Sequence, residues 1–133
     1  MPLHRHPVGA VTSRPRLALA AALAAVVLAG CGSAPPTVRA PDGRVAVTLD
    51  DFLIAPQRVR VPPGRVTFTA VNRGRTAHTL RVTDGTRDLL KITTLLPGGR
   101  GEATATLAAG TYKLYCAIAN HEELGMWGTL VVR

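Results

Sequence analysis

From Asp42 onward, short stretches rich in Val, Thr, Leu and Ile are separated at hairpin spacing by turn-forming residues, and this punctuation constrains the fold more than any other feature. The stretches are 45–49, 58–61, 65–71, 79–83, 89–93, 102–107, 111–116 and 128–132. Between them stand Pro62-Pro63-Gly64, Asn72-Arg73-Gly74, Asp84-Gly85, Pro97-Gly98-Gly99 and Ala109-Gly110. No segment carries a convincing amphipathic-helix period, so the pattern predicts an all-β sandwich of about eight strands. Parity within the stretches assigns faces. Val66, Phe68 and Ala70 alternate with Arg65, Thr67 and Thr69, and Tyr112, Leu114 and Cys116 share a face that excludes Lys113, so the Cys116 thiol is expected to point inward.

The segment before the domain has a different character. Arg5, Arg14 and Arg16 precede thirteen apolar residues, 17–29, followed by small residues and a cysteine, the layout of an export signal and too short for a comfortable membrane span. Leu28-Ala29-Gly30-Cys31 resembles a bacterial lipobox, which implies cleavage after residue 30 and lipidation of Cys31. Two or more acyl chains on one residue anchor stably, whereas one is marginal. Residues 31–41 are small and proline-rich and read as a flexible tether, with the folded domain at 42–133. The expected location is the cell envelope, on its periplasmic or extracellular face.

Without residues 1–30 the inventory of soft and borderline metal ligands is short. His78 and His121 are the imidazoles, Cys116 is the one unlipidated thiol and Met126 the one thioether. Three of these lie on one loop, as Cys116-x4-His121-x4-Met126. Singly, each has an ordinary explanation: a small inward hydrophobe, a satisfied histidine, a packed methionine beside Trp127. Jointly, and with His78 at the start of the strand 79–83, they make a His-His-Cys set with a weak axial methionine, the donor set of blue-copper sites. Zinc favours more cysteine or a carboxylate, and iron–sulfur clusters need several thiolates.

At these residues the chain resembles the cupredoxins of the plastocyanin, azurin, rusticyanin and sulfocyanin group. The shared features are Asn72 and Gly74, His78 opening a strand, Gly110-Thr111-Tyr112, Tyr115-Cys116, His121, Gly125-Met126, Gly128 and the terminal Val131-Val132 strand, spanning about residues 43–133. The loop spacing is similar to the rusticyanin and sulfocyanin type. The resemblance implies a Greek-key cupredoxin-like sandwich holding one type 1 copper ion, with His78, Cys116 and His121 equatorial and Met126 axial. It also implies that Asn72 and Thr79 support the site, the backbone amide of Thr79 reaching the cysteine sulfur. Thr79 stands where many relatives have asparagine or serine, so the amide can persist while the side-chain clamp changes. Electrons are expected to pass at the edge of His121, through an apolar patch of Ala117, Ile118, Leu124 and Trp127. Glu122 and Glu123 are expected to be solvated.

The function so implied is Cu(I)/Cu(II) electron transport between redox partners, by a monomer docking transiently. The alternative is an envelope protein for copper storage, delivery or tolerance. The sixteen basic residues outnumber eight acids, and only three of the former lie in the leader, so the domain stays basic. Nucleic acid is a poor partner for an exported domain with few aromatics; an acidic redox partner and the membrane reached through the lipid anchor fit better. Enzyme activity is not expected: multicopper reductases and oxidases need additional histidines. The serine nearest the domain, Ser33, sits in the tether, and a Cys116–His121 dyad would bury its nucleophile. A metal-free immunoglobulin-like adhesion module would leave the four-donor coincidence unexplained.

Overall fold

The eight expected strands are present, each within two residues of its expected ends, in a computed structural model that describes Gly9 and residues 32–133. The segment read from sequence as an export signal, Gly9 apart, and Cys31 lie outside the described residues. Two further three-residue strands complete the set: β1 (Thr37–Arg39) and β3 (Leu53–Ala55). The remainder are β2 (Arg44–Asp50), β4 (Arg58–Val61), β5 (Gly64–Asn72), β6 (His78–Thr83), β7 (Asp88–Leu95), β8 (Arg100–Leu107), β9 (Gly110–Tyr115) and β10 (Trp127–Val132). β1 falls inside the stretch expected to be a tether. Its Val38 pairs in parallel with Val59, Ala40 donates a 2.9 Å bond to the Arg60 carbonyl, and the Ala40 side chain is buried. Residues 37–40 therefore belong to the sheet. Three residues are too few to show an alternating pattern, which is why this edge strand was not apparent from sequence.

The strands form two mixed sheets, ordered β1-β4-β10-β9-β6-β7 and β3-β2-β5-β8. Both contain parallel neighbours, β1 with β4 and β4 with β10 in the first and β2 with β5 in the second, which is the signature of long crossovers between sheets. The alternation read from sequence carries the core. Val45, Val47 and Leu49 of β2 and Val66, Phe68 and Ala70 of β5 are buried, and they meet Leu80, Val82, Leu114 and Leu130 of the other sheet. Phe68, Leu49, Leu80, Leu114 and Leu130 are completely shielded from solvent. Burying side chains of this size contributes about 1.5–3 kcal/mol each, the main force holding the two sheets together.

Register gathers one end of the sandwich. β6 runs antiparallel to β9, with Arg81 opposite Tyr115 and Thr83 opposite Lys113, so the start of β6 adjoins the end of β9. β10 pairs Trp127 with Tyr115, placing its start at the same end. β2 and β5 finish together, Leu49 opposite Asn72, so the turn after β2 faces the loop that leads from β5 into β6. His78, Cys116 and Met126, each at a strand end, thus converge by pairing alone.

Candidate metal centre

His78 is the first residue of β6 and is fully buried. Its Nδ1 lies 3.2 Å from Nδ1 of His121, and that atom lies 3.7 Å from the Cys116 sulfur. The ligand atoms of these three residues all lie within 4.8 Å of one another. Donors at about 2.0–2.3 Å from a shared ion stand about 3.5–3.8 Å apart in a trigonal plane, so donor atoms 3.2 and 3.7 Å apart, all within 4.8 Å, are close enough together to share one metal. Burial holds the His78 imidazole below its ordinary pKa, against an opposing pull from Asp51, and so favours the neutral ring that a metal requires.

The fourth donor is tied to the same loop. Cys116 donates its amide to the Met126 carbonyl at 3.1 Å, and Met126 donates its own to the His121 carbonyl at 3.0 Å, closing the segment 116–126 into a compact ring with Met126 completely buried. Within it His121 donates to the Ile118 carbonyl at 3.0 Å, and Ala119 adopts a left-handed φ of 43°. Gly125, at φ 122°, meets the backbone of the turn after β2: a Cβ there would stand 3.0 Å from the Phe52 carbonyl.

Asn72 and Thr79, expected from the resemblance to support the site, both make hydrogen bonds beside it. Asn72 is fully buried; its Nδ2 donates to the Thr76 and Leu95 carbonyls at 2.8 Å each, and its Oδ1 accepts from the Gly74 amide at 2.8 Å. It thereby pins the loop that delivers His78. Thr79 directs its amide at the Cys116 sulfur from 3.4 Å and its hydroxyl at the same atom from 3.7 Å. The hydroxyl also accepts the Ala117 amide at 2.9 Å, so threonine keeps the amide and supplies a clamp of its own.

Two residues at this site had no signal in the sequence. Asp51 sits in the turn between β2 and β3, with Oδ1 3.4 Å from Nε2 of His78. Its carboxyl is held well below the usual carboxylate range, first by the Arg75 guanidinium and further by the Arg75 and Thr76 amides and by His78, against the effect of burial. Phe52 follows at φ 62°, an uncommon conformation for an aromatic residue. Its ring meets that of His121 at 84° with centroids 5.2 Å apart. Neither residue lies near a ligand in sequence, and only the pairing of β2 with β5 brings their turn here.

The surface around His121 departs from expectation in part. Ala117, Leu124 and Trp127 are exposed, and His121 is half-buried. Ile118 is half-buried as well and packs against the core, because its position in the turn beneath His121 directs it inward. Trp127 lines a groove with Lys113, Ala117 and Glu122, and Phe52 adds an exposed aromatic on the His121 side. Glu122 is ion-paired with Lys113, while Glu123 is exposed.

Residues 19–132 match the family model of the cupredoxin-like domain. No curated protein sequence matches the chain. Among solved structures it is similar to a reduced auracyanin from the photosynthetic bacterium Roseiflexus castenholzii, at 20% identity and a TM-score of 0.65, covering 71% of this chain and 99% of that one. Auracyanin A of Chloroflexus aurantiacus, a blue copper protein, is similar at 19% identity and a TM-score of 0.60, covering 74% and 100%. Rusticyanin from Thiobacillus ferrooxidans follows at 20% identity and a TM-score of 0.61, covering 76% and 84%. With a ten-stranded double sheet among the described residues and a family match across most of its length, the chain belongs to the cupredoxin-like family.

Proposed function

We propose that the protein binds one copper ion as a type 1 site and carries single electrons between redox partners in the cell envelope. The observation that carries this reading is the convergence of ligand atoms of His78, His121 and Cys116 within 4.8 Å, with the His121 Nδ1 3.2 Å from His78 Nδ1 and 3.7 Å from the Cys116 sulfur. In that reading His78, Cys116 and His121 are the equatorial ligands and the buried Met126 is axial. Bound copper supplies a one-electron couple; everything else is done by the chain.

The chain's contribution is rigidity and access. Fast electron transfer needs ligands that keep their places in both oxidation states, and each here is held by hydrogen bonds of the chain. His78 is set by a strand start and by the Asn72-pinned loop, Cys116 by hydrogen bonds from Thr79, and His121 and Met126 by the closed ring 116–126. His121 is the one imidazole of the pair that reaches the surface, bordered by Phe52. The small apolar area of Phe52, Ala117 and Leu124 suits brief docking, and the excess of Lys and Arg suits a partner of acidic surface. The leader and Leu28-Ala29-Gly30-Cys31 support export and lipid attachment at Cys31, which would hold the domain at the membrane.

The test is to load the purified protein with Cu(II) and record its visible and electron paramagnetic resonance spectra. An intense blue band with a narrow copper hyperfine splitting, both lost in Cys116→Ser, is expected. A colourless copper adduct, or a band that survives the substitution, would overturn the assignment. Electron self-exchange then separates carrier from store: rapid exchange with copper retained through many cycles is expected of a carrier, and ready surrender of copper to an acceptor would mark storage or delivery. For the anchor, Cys31→Ala is expected to move the protein from the membrane fraction to the soluble fraction.

A further inference from the structure

Asp51 lies outside both sheets, yet its carboxylate organises the loop that delivers His78. Oδ1 accepts the Arg75 amide at 2.9 Å, the Thr76 amide at 3.3 Å and the Thr76 hydroxyl at 3.2 Å, while Oδ2 accepts the Arg75 Nε at 3.1 Å. The carboxylate also faces His78, whose Nε2 is 3.4 Å from Oδ1. The other group near that nitrogen is the Thr76 hydroxyl at 3.5 Å, itself held by Asp51. Gly74 covers the contact closely: a Cβ there would stand 2.5 Å from Asp51 Oδ1 and 2.7 Å from His78 Nε2. The ring of His78 thus faces a carboxylate with Nε2 and the His121 and Cys116 donors with Nδ1.

Resting on the copper reading above, we propose that Asp51 is a positioning residue: its carboxylate accepts the Nε2–H of His78, fixes the tautomer that leaves Nδ1 free for copper, and biases the site toward its oxidised form. A carboxylate behind a ligating imidazole makes the ring a stronger donor. The more highly charged Cu(II) gains more from such a donor, and from the added negative charge, than Cu(I) does. Arg75 does not cancel this. Its side chain is 93% exposed and screened by water, whereas Asp51 is 19% exposed and faces a histidine with no solvent contact.

The experiment compares the copper-loaded wild-type protein with Asp51→Asn, which keeps the shape and removes the charge. The blue band is expected to persist. Cu(II) affinity is expected to fall about 10- to 100-fold, the usual effect of losing such a partner, with a smaller change for Cu(I). The reduction potential should rise by about 59 mV for each tenfold change in their ratio. Arg75→Ala, which leaves the carboxylate on His78, should not raise the potential. An intact band with an unchanged potential in Asp51→Asn would overturn this inference alone, while a wild-type protein without the band would overturn the copper reading and this one with it. Should Asp51→Asn not fold, pulsed electron paramagnetic resonance of the wild type decides: the remote nitrogens of His78 and His121 are expected to give distinct couplings, and identical ones would overturn the inference.

Discussion

The Thr79 hydroxyl bridges two loops at once, standing 3.7 Å from the Cys116 sulfur while accepting the Ala117 amide at 2.9 Å. A hydrogen bond to a ligating sulfur draws off the charge that the thiolate would otherwise lend to Cu(II). Thr79→Val keeps the amide bond at 3.4 Å and loses the hydroxyl. The expected result is a lower reduction potential and a loss of about 1 kcal/mol in stability, with both restored in Thr79→Ser. Voltammetry and denaturant unfolding check the two effects separately.

Met126 is shielded from solvent and attached through its backbone to Cys116 and His121. Met126→Leu conserves volume, so the fold should lose less than about 1.5 kcal/mol. Copper is expected to stay bound by the three equatorial donors, with a raised potential once the weak axial donor is gone. Metal analysis with voltammetry checks this, and complete loss of copper would argue against a trigonal site with a weak axis.

Gly74 has no room for a side chain, since a Cβ would stand 2.5 Å from Asp51 Oδ1 and 3.0 Å from the Asp51 amide. Gly74→Ala should displace the turn that carries Asp51 and cost about 1–3 kcal/mol. It should also slow copper uptake, because the loop that orients His78 is strained. Stopped-flow metallation and chemical denaturation measure these effects. A fully stable variant would mean that the two turns separate easily.

Asp88 supplies a pH dependence away from the metal centre. Burial alone would raise its carboxyl, but Arg81 at 2.7 Å, the Tyr115 hydroxyl at 2.8 Å and Lys91 at 3.8 Å outweigh this and hold it below the ordinary carboxylate value. A carboxyl lowered on folding contributes stability that is present above its unfolded pKa, about 4, and lost as pH falls through its folded value. Asp88→Asn should therefore cost about 2 kcal/mol at pH 7 and flatten the decline in metal-free stability below pH 4. The slope that persists belongs to other lowered carboxyls, such as Asp84 beside the Arg87 amide. Urea unfolding from pH 7 to pH 3 measures the difference.

What could be read from sequence is what short range determines. Alternation over five or more residues marks a face, so β2, β5 and β9 and their buried residues Val47, Phe68 and Leu114 were legible, as was the inward thiol of Cys116. The Cys116-x4-His121-x4-Met126 loop was equally legible, because its closing hydrogen bonds span only five to ten residues. Tertiary pairing decided the rest. The separation of 43 residues between His78 and His121 is bridged only when β6 lies against β9, and resemblance, not periodicity, anticipated it. Asp51 and Phe52 carry no pattern at all: they reach His78 and His121 because parallel pairing of β2 with β5 ends both strands at the same edge. Pairing between distant strands depends on many small, context-dependent side-chain contacts, so it leaves only a faint mark in the sequence while choosing which turns meet at the site.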